Sequence, residues 1–276
     1  MQITYEQLTA RNWGYISADL QNTISKSRVL IAGCGIGSQV AQAAVRIGFQ
    51  NFILLDGDIV DVHNLNRQFF FVYQIGKSKA DSLKDNLLKI NPSAHVEAGT
   101  ELLTSQNAPI YVDKCDIVLD TIDFLDLPAV VALHDEAHRQ NKTVISSFSA
   151  GFGAAVICFP PSNRPNSWIR EIFDLNKTGD IGKLSYVERF QKLFISLAPS
   201  LDPQVLEVMG KVFQEMADGR VCPAPQVSVG AEMVAALCVS ACLRILENKP
   251  MTLGPQMIVV NLMDALQGRG IQLVSP

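Results

Sequence analysis

The chain reads as an α/β protein: a Rossmann-like, mostly parallel sheet with helices on both faces, plus a helical insertion and late C-terminal strands. Three observations predict this. Short apolar, β-rich runs alternate with amphipathic runs from about residue 28 to 158, the pattern of crossover units in a parallel sheet. A glycine turn, Gly33-Cys-Gly-Ile-Gly37, joins the first apolar run to the first helical one. Pro160-Pro161 and Pro165 then end the alternation, and residues 167–217 carry helical patterns of mixed charge.

Taken in order, strands are predicted over 28–33, 52–56, 94–98, 116–120, 143–147 and 154–159. Helices fall near 38–48, 77–90, 104–113 and 126–140. Val29-Leu-Ile-Ala32 and Phe52-Ile-Leu-Leu55 are continuous apolar runs, as expected of strands covered on both faces. The crossovers should be right-handed. The insertion, about 160–220, holds Trp168-Ile-Arg-Glu-Ile-Phe, Tyr186-Val-Glu-Arg-Phe-Gln-Lys-Leu-Phe and the stretch from Gln204 to Ala217. Residues 228–247 form one helix rich in small residues, suited to pack tightly on the core. Strands over 256–262 and 270–274 close the chain, which is expected to be one domain over 1–276. There is no internal repeat and no low-complexity tract.

Bulk properties narrow the function classes. The 276 residues suffice for a substantial core, and 48% hydrophobic with 18% charged residues suits a soluble globular protein. A net charge of −4 gives no footing for nucleic acid or an anionic membrane surface. No apolar run is expected to reach the roughly 18–20 residues that span a bilayer, and Met1 to Leu20 is too polar for a secretory signal. The six cysteines (34, 115, 158, 222, 238, 242) are scattered, and several lie inside predicted elements. That usage belongs to a reducing compartment and predicts a cytoplasmic protein.

The chemistry concentrates after the glycine turn. Such a turn lets backbone approach a phosphate and aims free N–H groups at it, so Gly33, Gly35 and Gly37 are candidate nucleotide contacts. The strict dinucleotide spacing is not met, because Ser38 stands where the final glycine would be. Asp56 ends the second strand about 20 residues on, where a carboxylate meets ribose hydroxyls. The next loop carries Asn64-Leu-Asn-Arg-Gln68, and Gly76-Lys-Ser-Lys79 opens a helix. Arg67 and Lys79 are the donors that neutralise a triphosphate. Asp120-Thr-Ile-Asp123 follows the apolar run Ile117-Val-Leu119. A carboxylate there either holds Mg²⁺ against phosphates or caps the following helix.

The series Asp56, Asn64-Leu-Asn-Arg67-Gln68, Lys79 and Asp123 resembles that of the E1-like superfamily: ThiF, MoeB and HesA proteins and the adenylation domains of ubiquitin-activating enzymes. The likeness runs over residues 11–158 and resumes at 219–247. It implies Mg-ATP-dependent adenylation of the C-terminal carboxylate of a small ubiquitin-like or sulfur-carrier protein or a peptide, with release of pyrophosphate. It also implies a homodimer. Asp56 would bind ribose, Asn64, Arg67, Gln68 and Lys79 the phosphates, and Asp123 the Mg²⁺.

The chain departs from the family pattern at four places. The turn is one residue shorter than the usual doubled-glycine form. Trp13 stands where an arginine normally reaches into the partner's site, leaving Arg11 as the candidate. The paired CxxC motifs of a structural zinc are missing, so no zinc is predicted. One loop cysteine, Cys222 in Gly219-Arg-Val-Cys-Pro-Ala-Pro225, stands where some members carry the acceptor thiol. His134-Asp-Glu-Ala-His138 lacks the zincin glutamate and reads as a surface crossover helix. Two other readings compete: an NAD(P)-binding oxidoreductase, which leaves Arg67, Lys79 and Asp123 without a task, and a non-catalytic member that only binds a ubiquitin-like partner.

Overall fold

The apolar runs pair side by side as parallel strands because neither of their faces can meet water. In the computed structural model, which describes residues 3–123, 125–177, 179, 181, 186–220 and 225–267, they are β1 (Arg28–Ala32), β2 (Asn51–Leu55), β3 (His95–Gly99), β4 (Ile117–Asp120) and β5 (Thr143–Ala150). Two antiparallel strands, β6 (Gly153–Phe159) and β7 (Ile258–Asn261), complete a seven-stranded sheet of order β3-β2-β1-β4-β5-β6-β7. The register sets Ala32 against Leu55 on one side and Asp120 on the other. The residues that follow these three strands therefore emerge level with one another, at one edge.

The helices are α1 (Tyr5–Thr9), α2 (Ala18–Lys26), α3 (Gly37–Ile47), α4 (Lys79–Ile90), α5 (Ala108–Asp113), α6 (Leu127–Arg139), α7 (Trp168–Ile172), α8 (Tyr186–Leu197), α9 (Pro203–Ala217), α10 (Ser228–Leu246) and α11 (Leu262–Gln267). Strand alternation divides the core. Val29, Ile31, Phe52 and Leu54 pack with side chains of α3, α4 and α10, while Leu30, Ala32, Ile53 and Leu55 face those of α5 and α6. Punctuation is local. Ser78 caps α4 by accepting from Asp81 N, and α3 stops at Gly48, whose φ of 119° suits the left-handed position after a helix.

Several expectations are corrected. Helices α1 and α2 were not foreseen, because short polar amphipathic segments give weak periodicity; α2 is held by Leu20 and Ile24 in the core. The first late strand is only Ile258–Asn261 and runs directly into α11, while the predicted strand at 270–274 lies outside the described residues. Helix α10, at 19 residues, is long and apolar enough to cross a membrane, against the expectation of no such segment. Here it works as a core helix: Gly230, Ala231, Ala235 and Cys238 are buried, and their small side chains let it lie on α3, β5 and β6. The insertion is helical as expected. It docks through Ile169 and Phe173 against Leu127 and Val130 of α6, and Phe194 meets Phe213 edge-on at 5.4 Å between α8 and α9.

Candidate active site

The glycine turn leaves β1 at the level edge and is shaped by close packing. Gly33 has φ of 89°, and a Cβ there or at Gly37 would collide with Thr121 beyond β4. The Thr121 hydroxyl donates to Gly33 O at 2.6 Å. Gly33 and Gly35 line the large cavity at this edge, whereas Gly37 is buried and serves helix–strand approach. Ser38, the departure from dinucleotide spacing, has its own task. Its hydroxyl donates to Gly35 O at 2.6 Å and accepts from Phe69 N at 2.8 Å, tying the turn to the loop after β2.

Asp56 accepts from Cys34 N at 2.6 Å and from Asp58 N at 2.8 Å. Burial pushes its carboxyl up from the ordinary range, opposed by Lys79 and these two N–H donors. Lys79 opens α4, and its Nζ lies 2.8 Å from Asp58 Oδ2. Asp58, which the sequence reading missed, also accepts from Lys79 N through its carbonyl at 2.9 Å. The only sequence signal for it was its place two residues beyond Asp56. Arg67 is half-buried. It donates to Gln226 Oε1, and to His63 O and Asn66 Oδ1 at 2.9 Å each. Desolvation lowers its pKa, and the Asp123 charge opposes that shift.

Asn64 is buried and closes its own turn by accepting from Asp61 N at 2.9 Å. The buried Gln68 leaves its Oε1 without a hydrogen-bond partner among the described residues, and its amide faces Gly35. That orphaned acceptor suits a ligand with hydroxyl or amino donors. Asp123 is exposed on the loop after β4 and accepts from Leu125 N at 3.0 Å. It is not the helix cap; Asp126 caps α6.

Asp56, Asn64, Arg67, Gln68, Lys79 and Asp123 all line one cavity of about 840 Å³ with Gly33 and Gly35. Among the described residues no three His, Cys, Asp or Glu stand close enough to hold a metal by themselves. Mg²⁺ needs no such cage, since it is held by one or two carboxylates together with substrate phosphates and waters. Asp123 fits that role.

The other acidic residue of the motif, Asp120, is engaged differently. It is buried with His134 Nε2 at 2.9 Å and Ser146 Oγ at 2.7 Å. His134 thus faces inward, against its reading as part of a surface helix. Arg11 is exposed and lies outside the cavity lining. Its neighbour Asn12 donates to Ile47 O at 2.9 Å, at the far end of α3 from the glycine turn. Eleven residues of helix put roughly 16 Å between those ends, so Arg11 does not serve the site of its own chain. Cys222 lies outside the described residues; Arg220 beside it is paired with Glu215 and Asp218.

A family model described as the ThiF family matches residues 7–272. The chain belongs to the ThiF family. It is 34% identical over 143 residues to "Adenylyltransferase and sulfurtransferase UBA4" of Lodderomyces elongisporus, covering 51% of this chain and 30% of that protein. It is 31% identical over 148 residues to "tRNA threonylcarbamoyladenosine dehydratase 1" of Saccharomyces cerevisiae, covering 51% of this chain and 34% of that one. The match thus spans about a third of these relatives' length. Among solved structures, PaaA superposes with a TM-score of 0.66 at 21% identity, over 94% of this chain and 77% of that one. MccB of E. coli crystallised with ATP gives a TM-score of 0.61 at 20% identity, over 87% of this chain and 62% of its own. These two likenesses concern the fold of this ThiF-family chain.

Proposed function

We propose that this ThiF-family chain adenylates a carboxylate with Mg-ATP. The carboxylate is the C-terminus of a small ubiquitin-like or sulfur-carrier protein or of a peptide. The observation that carries the reading is one cavity lined by two cations, Arg67 and Lys79, beside the glycine turn, Asp56 and Asp123. A dinucleotide oxidoreductase leaves those two cations and Asp123 without a task.

Asp56 has lone pairs left for ribose hydroxyls after accepting two backbone bonds. Gln68 Oε1 offers a further acceptor. Asp123 would hold the Mg²⁺, which lowers the charge of the triphosphate. An ionised carboxylate attacks the α-phosphorus. The new bond forms from its oxygen, the bond from that phosphorus to the bridging oxygen breaks, and pyrophosphate leaves. No proton has to move, so the protein supplies alignment and charge neutralisation rather than an acid–base pair. Arg67 and Lys79 take up the charge that develops on the leaving group.

Arg11 acts in trans in a homodimer. Trp13 and Tyr15 beside it, 88% and 95% exposed, offer the face for a second copy. Onward transfer to Cys222 and a cytoplasmic setting complete the proposal. The test is ATP–pyrophosphate exchange with candidate carboxylates. Arg67→Ala and Arg11→Ala should each abolish it, and mixing the two variants should restore part of it through mixed dimers. Exchange retained in Arg67→Ala removes the phosphate assignment; a mixture as inactive as its parts removes the trans role of Arg11.

A further inference from the structure

The cavity does not end with the nucleotide site. The same continuous space of about 840 Å³ runs from Asp56 and Lys79 to a chamber roofed by α8 and α9. The roof presents Phe194, Val208, Met209 and Phe213, and the floor presents Phe152 and Phe159 at the sheet. The charged residues lining this end are already engaged among the described residues. Asp202 accepts from Gln204 N at 2.7 Å and Asn261 Nδ2 at 3.0 Å, and Arg220 pairs with Glu215 and Asp218. Among the described residues lining this end, no charge is left unpaired to meet an acidic or basic side chain.

We infer that the acyl substrate of this site is a carboxylate carrying a large apolar body, aliphatic or aromatic, next to the activated group. The inference rests on the adenylation reading and names its substrate class. A carboxylate presented to the nucleotide from this chamber places its adjoining atoms among walls in which phenylalanine, methionine and valine predominate over a few serine and amide side chains. A C-terminus made only of glycines has no side chain to place there and would leave those walls unfilled. A branched or aromatic body fills them, and one methylene in an apolar pocket shifts specificity by roughly 10–200-fold. The discriminating wall belongs to the insertion, the part of the chain between β6 and α10, and not to the nucleotide cradle.

The test uses the full chain and defined probes. Titration calorimetry compares octanoate, 3-phenylpropionate, a tetrapeptide of three glycines and a C-terminal phenylalanine, and a tetrapeptide of four glycines. The phenylalanine-ended peptide or a free apolar acid should bind at least about tenfold tighter than the all-glycine peptide. The free-acid and peptide arms tell the two sources apart. Val208→Asp should weaken the apolar probes by about tenfold or more while leaving ATP affinity unchanged. Val208→Trp, which fills the chamber without a charge, decides the matter should Val208→Asp fail to fold. Equal binding of the all-glycine peptide, no binding of any probe, or indifference to both substitutions overturns the inference. Pyrophosphate exchange on the same probes separates the two claims: apolar binding without exchange leaves the chamber and removes adenylation.

Discussion

Lys79→Met removes one charge from the site and keeps the buried stem, which makes it the sharpest probe of the nucleotide cradle. Lys79 Nζ is 2.8 Å from Asp58 Oδ2, with side chains 10% and 62% exposed respectively. A pair this open on one side contributes no more than about 1 kcal/mol to folding, and the aliphatic stem carries the packing. Toward a triphosphate the same ammonium acts differently. Two unit charges 4 Å apart at an effective dielectric of about 20 attract by about 4 kcal/mol. At 1.36 kcal/mol per decade this is at most roughly three decades of affinity. Calorimetric titration of Mg-ATP should therefore show Lys79→Met weakened on the order of 10²–10³-fold. Its melting temperature should stay within a few degrees of the parent chain. Asp58→Asn frees Lys79 without removing it and should change ATP affinity by less than about tenfold. A Lys79→Met chain that melts and binds ATP like the parent would refute the assignment of Lys79 to the phosphates.

Two further outcomes follow from buried groups. Asp120→Ala leaves His134 and Ser146 without their carboxylate partner. Each buried donor left without its acceptor costs about 1–3 kcal/mol, so thermal melts should fall by roughly 5–10 °C; an unchanged midpoint would make the cluster incidental. Desolvation pushes the Cys158 thiol up to about 11 and those of Cys115 and Cys238 up to about 12. Because these folded pKa values lie above the unfolded value of about 8.5, the native state holds its protons longer. The resulting stability is full below about pH 8.5 and is lost as pH rises toward 11 and 12. Melting temperatures should be level near neutrality and decline above about pH 9, less steeply in Cys238→Ala; a flat profile up to pH 11 contradicts this.

The parallel sheet and the nucleotide edge were legible because they rest on short-range signals. Continuous apolar runs mark strands buried on both faces, and Asp56 and Lys79 sit at the ends of elements whose limits are punctuated locally. The N-terminal helices were not legible, since α1 packs on α3 and α2 on α10, which lies far along the chain. Helix α10 shows the same dependence. Its composition suits either a bilayer or a protein core, and only its packing on α3, β5 and β6 makes the choice.

Within the site, order along the chain was enough to single out the residues that line the cavity, because a parallel sheet sends successive strand ends to one edge. Their pairing was not readable. That Asp58 holds Lys79, that Gln226 from just before α10 holds Arg67, and that Asp120 turns inward to His134 are contacts across 14 to 159 positions. Arg11 was chosen by position as a residue that reaches a partner's site, and the fold sets it by the far end of α3, away from the cavity of its own chain. The joining of the nucleotide edge to an apolar chamber is likewise tertiary. It arises because α8 and α9, joined through Phe190, Phe194 and Phe213, line the same cavity as the strand ends, and burial of apolar surface depends on what meets in space rather than on spacing along the chain.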